Sequence, residues 1–202
     1  MEITTNDLVL LVNEAKKAPI LGIYEELNFD ENLYLRYLWT LARKFKFKLM
    51  VEYGTWQGLS ALQLAEGNPE GKVISIDNLC LASSLGIGNP LREKNKRDNI
   101  TYLIQDCLTP NNFKDIDLLF MDGKHGPSIG AEYNFWLPKM ASNGIILIDD
   151  IYWNAGRGVN EPDFWNSFNP TGGDKIDLSM LHTWSNMGFG AVVLKPFDSR
   201  ED

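Results

Sequence analysis

The chain has 202 residues, with 19 Lys and Arg against 27 Asp and Glu, and a formal net charge of -8 at neutral pH. That balance argues against nonspecific binding to nucleic acid or to an anionic membrane, and no apolar run approaches the roughly 20 residues of a membrane span. A hydrophobic content of 44% and a charged content of 23% fit one globular domain, while Cys80 and Cys107 are too few for a disulfide framework or a thiolate metal cluster. The acidic, polar start Met1–Asp7 lacks the basic region of a secretory signal, so a cytoplasmic protein is expected.

Thr4 or Thr5 caps a predicted helix running to about Lys17, with Leu8, Leu11, Val12 and Ala15 on one face and Pro19 beyond its end. A second helix is predicted from a cap at Asn28 or Asp30. It carries Leu33, Tyr34, Tyr37, Leu38, Leu41 and Phe45 at helical spacing, an aromatic stripe that reads as core packing. Together these helices make an N-terminal extension over 1–47, ahead of a core over 48–196. A lid, a cover for the sheet and a dimer contact are all open roles for it.

The core begins with Leu49-Met50-Val51-Glu52-Tyr53-Gly54-Thr55-Trp56-Gln57-Gly58, followed by the helical stretch Leu59–Ala65. This is a strand, a tight glycine turn and a helix, the opening unit of an α/β nucleotide-binding domain. Apolar runs then recur and end in acids: Lys72–Asp77, Ile100–Asp106, Ile116–Asp122 and Gly144–Asp150. Such near-continuous apolar strands suit a parallel sheet covered on both faces. A helix is expected over 130–140 and a turn at Asn143-Gly144. Leu178–Trp184 and Phe189–Leu194, joined by Ser185–Gly188, read as a closing hairpin that adds an antiparallel strand at one edge. The expected architecture is a Rossmann-like three-layer sandwich with a seven-stranded, mostly parallel sheet. Long connections at 79–98 and 152–175 are candidates for ligand-facing loops.

In open α/β sheets the ligand crevice lies at the carboxyl ends of the strands, where this chain places Glu52, Asp77, Asp106, Asp122, Asp149 and Asp150. Asp77 can accept from both hydroxyls of a ribose, or cap a helix. Asp106 can accept from an adenine amino group, or serve as a turn residue. Glu52, directly after an apolar run, suits a cationic ligand group. Gly54, Thr55 and Gly58 form the turn around it.

Together these residues resemble the class I S-adenosylmethionine-dependent methyltransferases over nearly the whole chain. The turn is Glu-x-Gly-x-x-x-Gly rather than the Gly-x-Gly-x-x-Gly of nicotinamide oxidoreductases, which are kept as a remote alternative. Phe120–His125, Trp136-Leu137-Pro138, Gly144–Asp150, Gly158-Val159 and Phe164-Trp165 narrow the resemblance to the small-molecule group with Asp-Gly-x-His and Asp-Asp motifs, which includes catechol and sugar O-methyltransferases. The resemblance implies that Glu52, Gly54, Thr55, Gly58, Asp77, Asp106 and Asp122 hold S-adenosylmethionine. It further implies that Asp122, Asp149 and Asp150 bind a divalent cation. Three carboxylates on adjacent strands about 5 Å apart would repel unless protonated or bridged by a cation, and oxygen-only ligation suits Mg²⁺. Capping of the next helix by Asp149 or Asp150 is the alternative.

One departure concerns the proton acceptor. The group usually has an acid between Gly123 and His125, where this chain has Lys124. Beside carboxylates a lysine stays charged, so His125 is the better candidate for the base and Lys124 the second. His182 reads as packing. Tyr152, Trp153, Phe164 and Trp165 would border a planar or sugar acceptor, or anchor their loop. Arg157 is a candidate for an anion, and the run Arg92, Lys94, Lys96 and Arg97 for an anionic acceptor or a solvated face. The expected activity is metal-assisted O-methylation of a small hydroxylated molecule, with a homodimer among the assemblies left open; a non-catalytic binder of S-adenosylmethionine or a nucleoside is the rival.

Overall fold

The structure is a computed structural model that describes residues 2–21, 33–55, 57–78, 95–123, 128–152, 164–181 and 188–196. Helix α1 (Thr5–Ala15) starts at a reciprocal capping box. The Thr4 side chain accepts from the Asp7 N–H, and the Asp7 carboxylate accepts from the Thr4 N–H. Helix α2 (Leu33–Phe45) packs on α1, and the buried Tyr37 hydroxyl donates to the Leu8 carbonyl at 3.0 Å. The predicted start of α2 at Asn28 or Asp30 lies outside the described residues. The aromatic stripe is core as expected, with Tyr37 edge-on to Phe189 at 6.3 Å.

The sheet has seven strands in the order β3-β2-β1-β4-β5-β7-β6. They are β1 (Leu49–Tyr53), β2 (Lys72–Asp77), β3 (Ile100–Ile104), β4 (Ile116–Met121), β5 (Met140–Asp149), β6 (Gly173–Asp177) and β7 (Phe189–Leu194). Strands β1 to β5 are parallel, and β7 runs antiparallel to both β5 and β6. Helix α3 (Leu59–Gly67) follows β1, α4 (Ser128–Trp136) follows β4, and a short α5 (Phe164–Ser167) precedes β6. The Rossmann-like fold read from the strand pattern is therefore present.

Two details of the C-terminal half differ from expectation. The sixth strand lies at Gly173–Asp177, overlapping the end of the stretch taken as a long loop over 152–175, and Ser179–Leu181 forms a 3₁₀ turn. The reversed strand β7 is also not at the edge: it lies between β5 and β6. The physical reason is that an edge strand needs only one partner and keeps polar residues. Gly-Asp-Lys-Ile-Asp has no apolar run to advertise it, whereas Leu178 and Leu181 are buried from a turn. Asn143-Gly144, expected as a turn before β5, is instead a kink inside it. Asn143 adopts φ 63°, and the register to β4 slips between Ile116 and Leu118.

Side-chain alternation divides the core into two layers. Met50, Val73, Leu118, Phe120, Ile145 and Leu147 face α1, α2 and α3, while Val51, Ile74, Leu119, Met121, Ile146 and Ile148 face the α4 side. Trp136, fully buried, stacks on Tyr53 at 6.2 Å and on Phe113 at 6.4 Å, and Pro138 in the 3₁₀ turn Leu137–Lys139 closes α4 behind it.

Candidate functional site

The strand register determines which acids meet. Glu52 on β1 is paired with Ser75 on β2 and Phe120 on β4, and Phe120 is paired with Leu147 on β5. Two residues further along each strand come Gly54, Asp77, Asp122 and Asp149. Because a strand alternates with period two, Asp77, Asp122 and Asp149 belong to the same face as Glu52, roughly 7 Å nearer the strand ends. Glu52 thus lies one pleat deep, below a row whose middle position is a glycine.

Gly54 adopts φ +92°, and a Cβ there would lie 1.6 Å from the Asp122 carbonyl oxygen. Its N–H donates to Ile76 O at 2.9 Å, so the glycine lets three strand ends close on one another. Gly58, at φ 75°, is the N-cap of α3 and gives no side-chain cap, leaving the first-turn N–H groups to other acceptors. Tyr34, Gly54, Thr55, Gln57, Leu59, Ser60 and Asp122 line a small pocket of about 40 Å³, room for one polar group. Tyr34, read from sequence as core alone, is also part of this wall.

Glu52 is buried and its Oε1 accepts from Ser75 Oγ at 2.6 Å; Ser75 Oγ lies 2.5 Å from Thr55 Oγ1. The Asp122 carboxyl is raised well above the usual carboxylate range. Burial is the main cause, followed by the charges of Asp149, Asp150 and Glu52 and a hydrogen bond to Asp149. Asp150, buried at φ 54°, turns the chain out of β5. Among the described residues no group of three or more His, Cys, Asp or Glu side chains is arranged to hold a metal ion. The expected Asp122, Asp149 and Asp150 cation site is thus not supported among the described residues, although the three acids lie close enough for their charges to interact.

The other predicted residues separate into those at the crevice and those elsewhere. Asp77 ends β2, partly buried, in the same row. Asp106 is exposed, and its Oδ1 accepts from Leu108 N at 2.8 Å, which is the turn role named as its alternative. Arg97 pairs with Glu66 of α3 and fastens the connection into β3. Tyr152 and Trp165 take the anchoring role. The Tyr152 hydroxyl donates to Asp177 Oδ2 at 2.5 Å, and buried Trp165 packs where a Cβ on Gly190 would meet its ring at 2.6 Å. Lys124, His125, Trp153, Arg157, His182, Arg92 and Lys94 lie outside the described residues, as does Trp56 of the glycine turn.

Sequence reasoning missed Ser75 and the buried pair under the site. Ser75 is the one hydroxyl inside the apolar run Lys72–Asp77, a signal that was available. Tyr53 donates to Glu132 Oε2 at 2.6 Å, and its ring lies 2.7 Å from the position of a Cβ on Gly123, so it supports the Asp122-Gly123 turn from beneath. Its partner Glu132 lies 79 residues away, a spacing that no local pattern reveals.

A family model described as a methyltransferase domain matches residues 51–151, half of the chain. No curated protein sequence matches. Solved structures share the fold. The cofactor-bound protein Rv0187 from MTB superposes with a TM-score of 0.64 at 15% identity, over 95% of this chain and 89% of that one. The O-methyltransferase TomG from Streptomyces achromogenes, in complex with SAM, gives 0.62 at 15% identity, over 92% and 89%. An O-methyltransferase from Bacillus cereus in complex with SAH gives 0.59 at 18% identity, over 95% and 92%.

Proposed function

The chain belongs to the family of methyltransferase domains, and from that premise we propose that it is an S-adenosylmethionine-dependent O-methyltransferase acting on a small hydroxylated molecule. The observation that carries this reading is the acid row on one sheet face, with Glu52 buried one pleat below it and the uncapped start of α3 alongside. Such a seat suits a ligand end bearing both an ammonium and a carboxylate, next to a cationic sulfur. S-adenosylmethionine, when bound, supplies an electrophilic methyl group.

The chain's own residues then have defined tasks. Glu52, Thr55 and the α3 N-terminus hold the amino-acid end, with Gly54 and Gly58 shaping the turn and Asp77 receiving the ribose hydroxyls. Asp106, whose carboxylate already accepts from Leu108 N, borders the adenine side. Asp122 and its neighbours give the crevice a negative potential that favours a cationic ligand. His125 takes the proton of the acceptor hydroxyl, with Lys124 the second choice. Since the described carboxylates do not fit a cation site, no step is assigned to Mg²⁺. The protein's main contribution is alignment of donor and acceptor.

Calorimetry with S-adenosylhomocysteine tests the reading. Saturable binding is expected, and absence of heat at millimolar concentration would overturn it. Transfer of a labelled methyl group to a panel of hydroxylated acceptors, with Mg²⁺ and with EDTA, then separates the metal-assisted from the metal-free form. Lys124, standing where relatives of this group carry an acid, favours a second reading, a non-catalytic binder. Cofactor binding without turnover of any acceptor is its signature.

A further inference from the structure

Ser75 stands directly across from Glu52 in the β1–β2 register. Its Oγ donates to Glu52 Oε1 at 2.6 Å and lies 2.5 Å from Thr55 Oγ1. Glu52, Ser75 and Thr55 are 1%, 1% and 2% exposed, so bulk water does not compete for these contacts. A hydroxyl has a single proton to give. Ser75 gives its proton to the carboxylate, so the contact with Thr55 is made by the Thr55 proton. The relay therefore has a direction, Thr55 to Ser75 to Glu52, with the acid at its end. Thr55 also lines the pocket beside Gly54 and Asp122. With its one proton spent inward, it offers that pocket lone pairs alone.

We propose that Ser75 is a positioning residue that, through Thr55, sets the hydrogen-bond polarity of the cofactor seat, making the β1–β2 wall that Thr55 presents to the pocket acceptor-only. Such a wall receives the ammonium of a bound amino-acid-bearing nucleoside and turns its carboxylate away. The inference rests on the methyltransferase reading and adds to it which end of the ligand meets this wall. An ammonium brings three donors and no acceptor, whereas a carboxylate would face oxygen lone pairs with the Glu52 acid behind them. The carboxylate is left to the first turn of α3, where Gly58 supplies no cap and Leu59 and Ser60 border the same pocket. Ser75 makes this choice through Thr55 and Glu52, without touching the ligand.

Calorimetry with two probes tests the proposal. S-adenosylhomocysteine carries the amino-acid end, and methylthioadenosine lacks it. Ser75→Ala and Thr55→Val are each expected to weaken S-adenosylhomocysteine binding about tenfold, the loss of one charge-assisted hydrogen bond. Methylthioadenosine affinity stays within about twofold in both variants, since it makes no contact that the relay governs. Thr55→Ser, which keeps the hydroxyl, retains wild-type affinity for both. Equal losses for the two probes would show a merely structural role and overturn the proposal, as would unchanged S-adenosylhomocysteine binding in Thr55→Val. That variant carries the test by itself if Ser75→Ala does not fold. Wild-type protein that binds neither probe would overturn the methyltransferase reading and this inference with it; wild-type binding without selective loss overturns the inference alone.

Discussion

Gly54 and Asp122 meet backbone to backbone: the position of a Cβ on Gly54 is 1.6 Å from the Asp122 carbonyl oxygen and 2.3 Å from its carbonyl carbon. The glycine is required by the protein's own main chain before any ligand arrives. Gly54→Ala must move β1 away from the β4 end and strain a residue at φ +92°. A loss of roughly 2–4 kcal/mol is expected from overpacking and strain combined, read as a lower midpoint in urea, together with loss of S-adenosylhomocysteine binding.

Asp122 makes stability depend on pH in a direction that can be worked out. Its folded pKa is raised by burial first and by Asp149, Asp150 and Glu52 next. Below its unfolded value of 3.8 the group is protonated in both states and imposes no penalty. As pH rises beyond that value the unfolded chain releases the proton first, so stability falls until the folded carboxyl also titrates. Asp122→Asn removes this contribution. The melting temperature of the variant relative to wild type, without ligand, is expected to climb from pH 4 toward neutrality; a difference independent of pH would refute the assignment.

The hydroxyl of Tyr53 reaches a buried carboxylate on a distant helix, Glu132, at 2.6 Å. Tyr53→Phe keeps the ring stacked on Trp136 but withdraws that donor from an acid 1% exposed. A loss of about 1–3 kcal/mol follows. Denaturant titration measures it, and a change under 0.5 kcal/mol would contradict the account.

Lys175 caps the end of α5, donating to the carbonyls of Trp165 at 2.7 Å and Phe168 at 2.5 Å. Lys175→Met keeps the aliphatic stem and removes the ammonium. Faster amide exchange is expected at Trp165–Phe168, with the amides of β1 and β4 unchanged. Uniform acceleration across the sheet would instead mean a global loss of stability.

The sequence made the parallel core readable because buried strands advertise themselves. Apolar runs such as Ile116–Met121 and Ile145–Ile148 leave little choice of state, and each ends in an acid at a fixed phase. The same logic explains the failure at β6. Gly173–Asp177 is an edge strand held by one partner, β7, and its polar side chains carry no periodic signal. At the site, Glu52, Gly54 and Thr55 were legible from one local turn. Ser75 stood out as the one hydroxyl of its apolar run, but its partner Glu52 is 23 residues away, and Glu132 had no local signal at all, its partner Tyr53 being 79 residues away. The three-aspartate cation site rested on proximity, and Asp149 and Asp150 do lie close enough to Asp122 for their charges to act on it. Among the described residues no metal-holding group supports the cation itself.

Residues 153–163 begin just after Tyr152, tied to Asp177, and end just before α5, tied to Lys175. Both ties land on β6, two positions apart on the outermost strand. Neither tie involves β1, β2 or α3, which carry Glu52, Ser75, Thr55 and the uncapped helix start. A change at either tie is therefore felt first along β6 and its partner β7, the far edge of the sheet from β2 and β3.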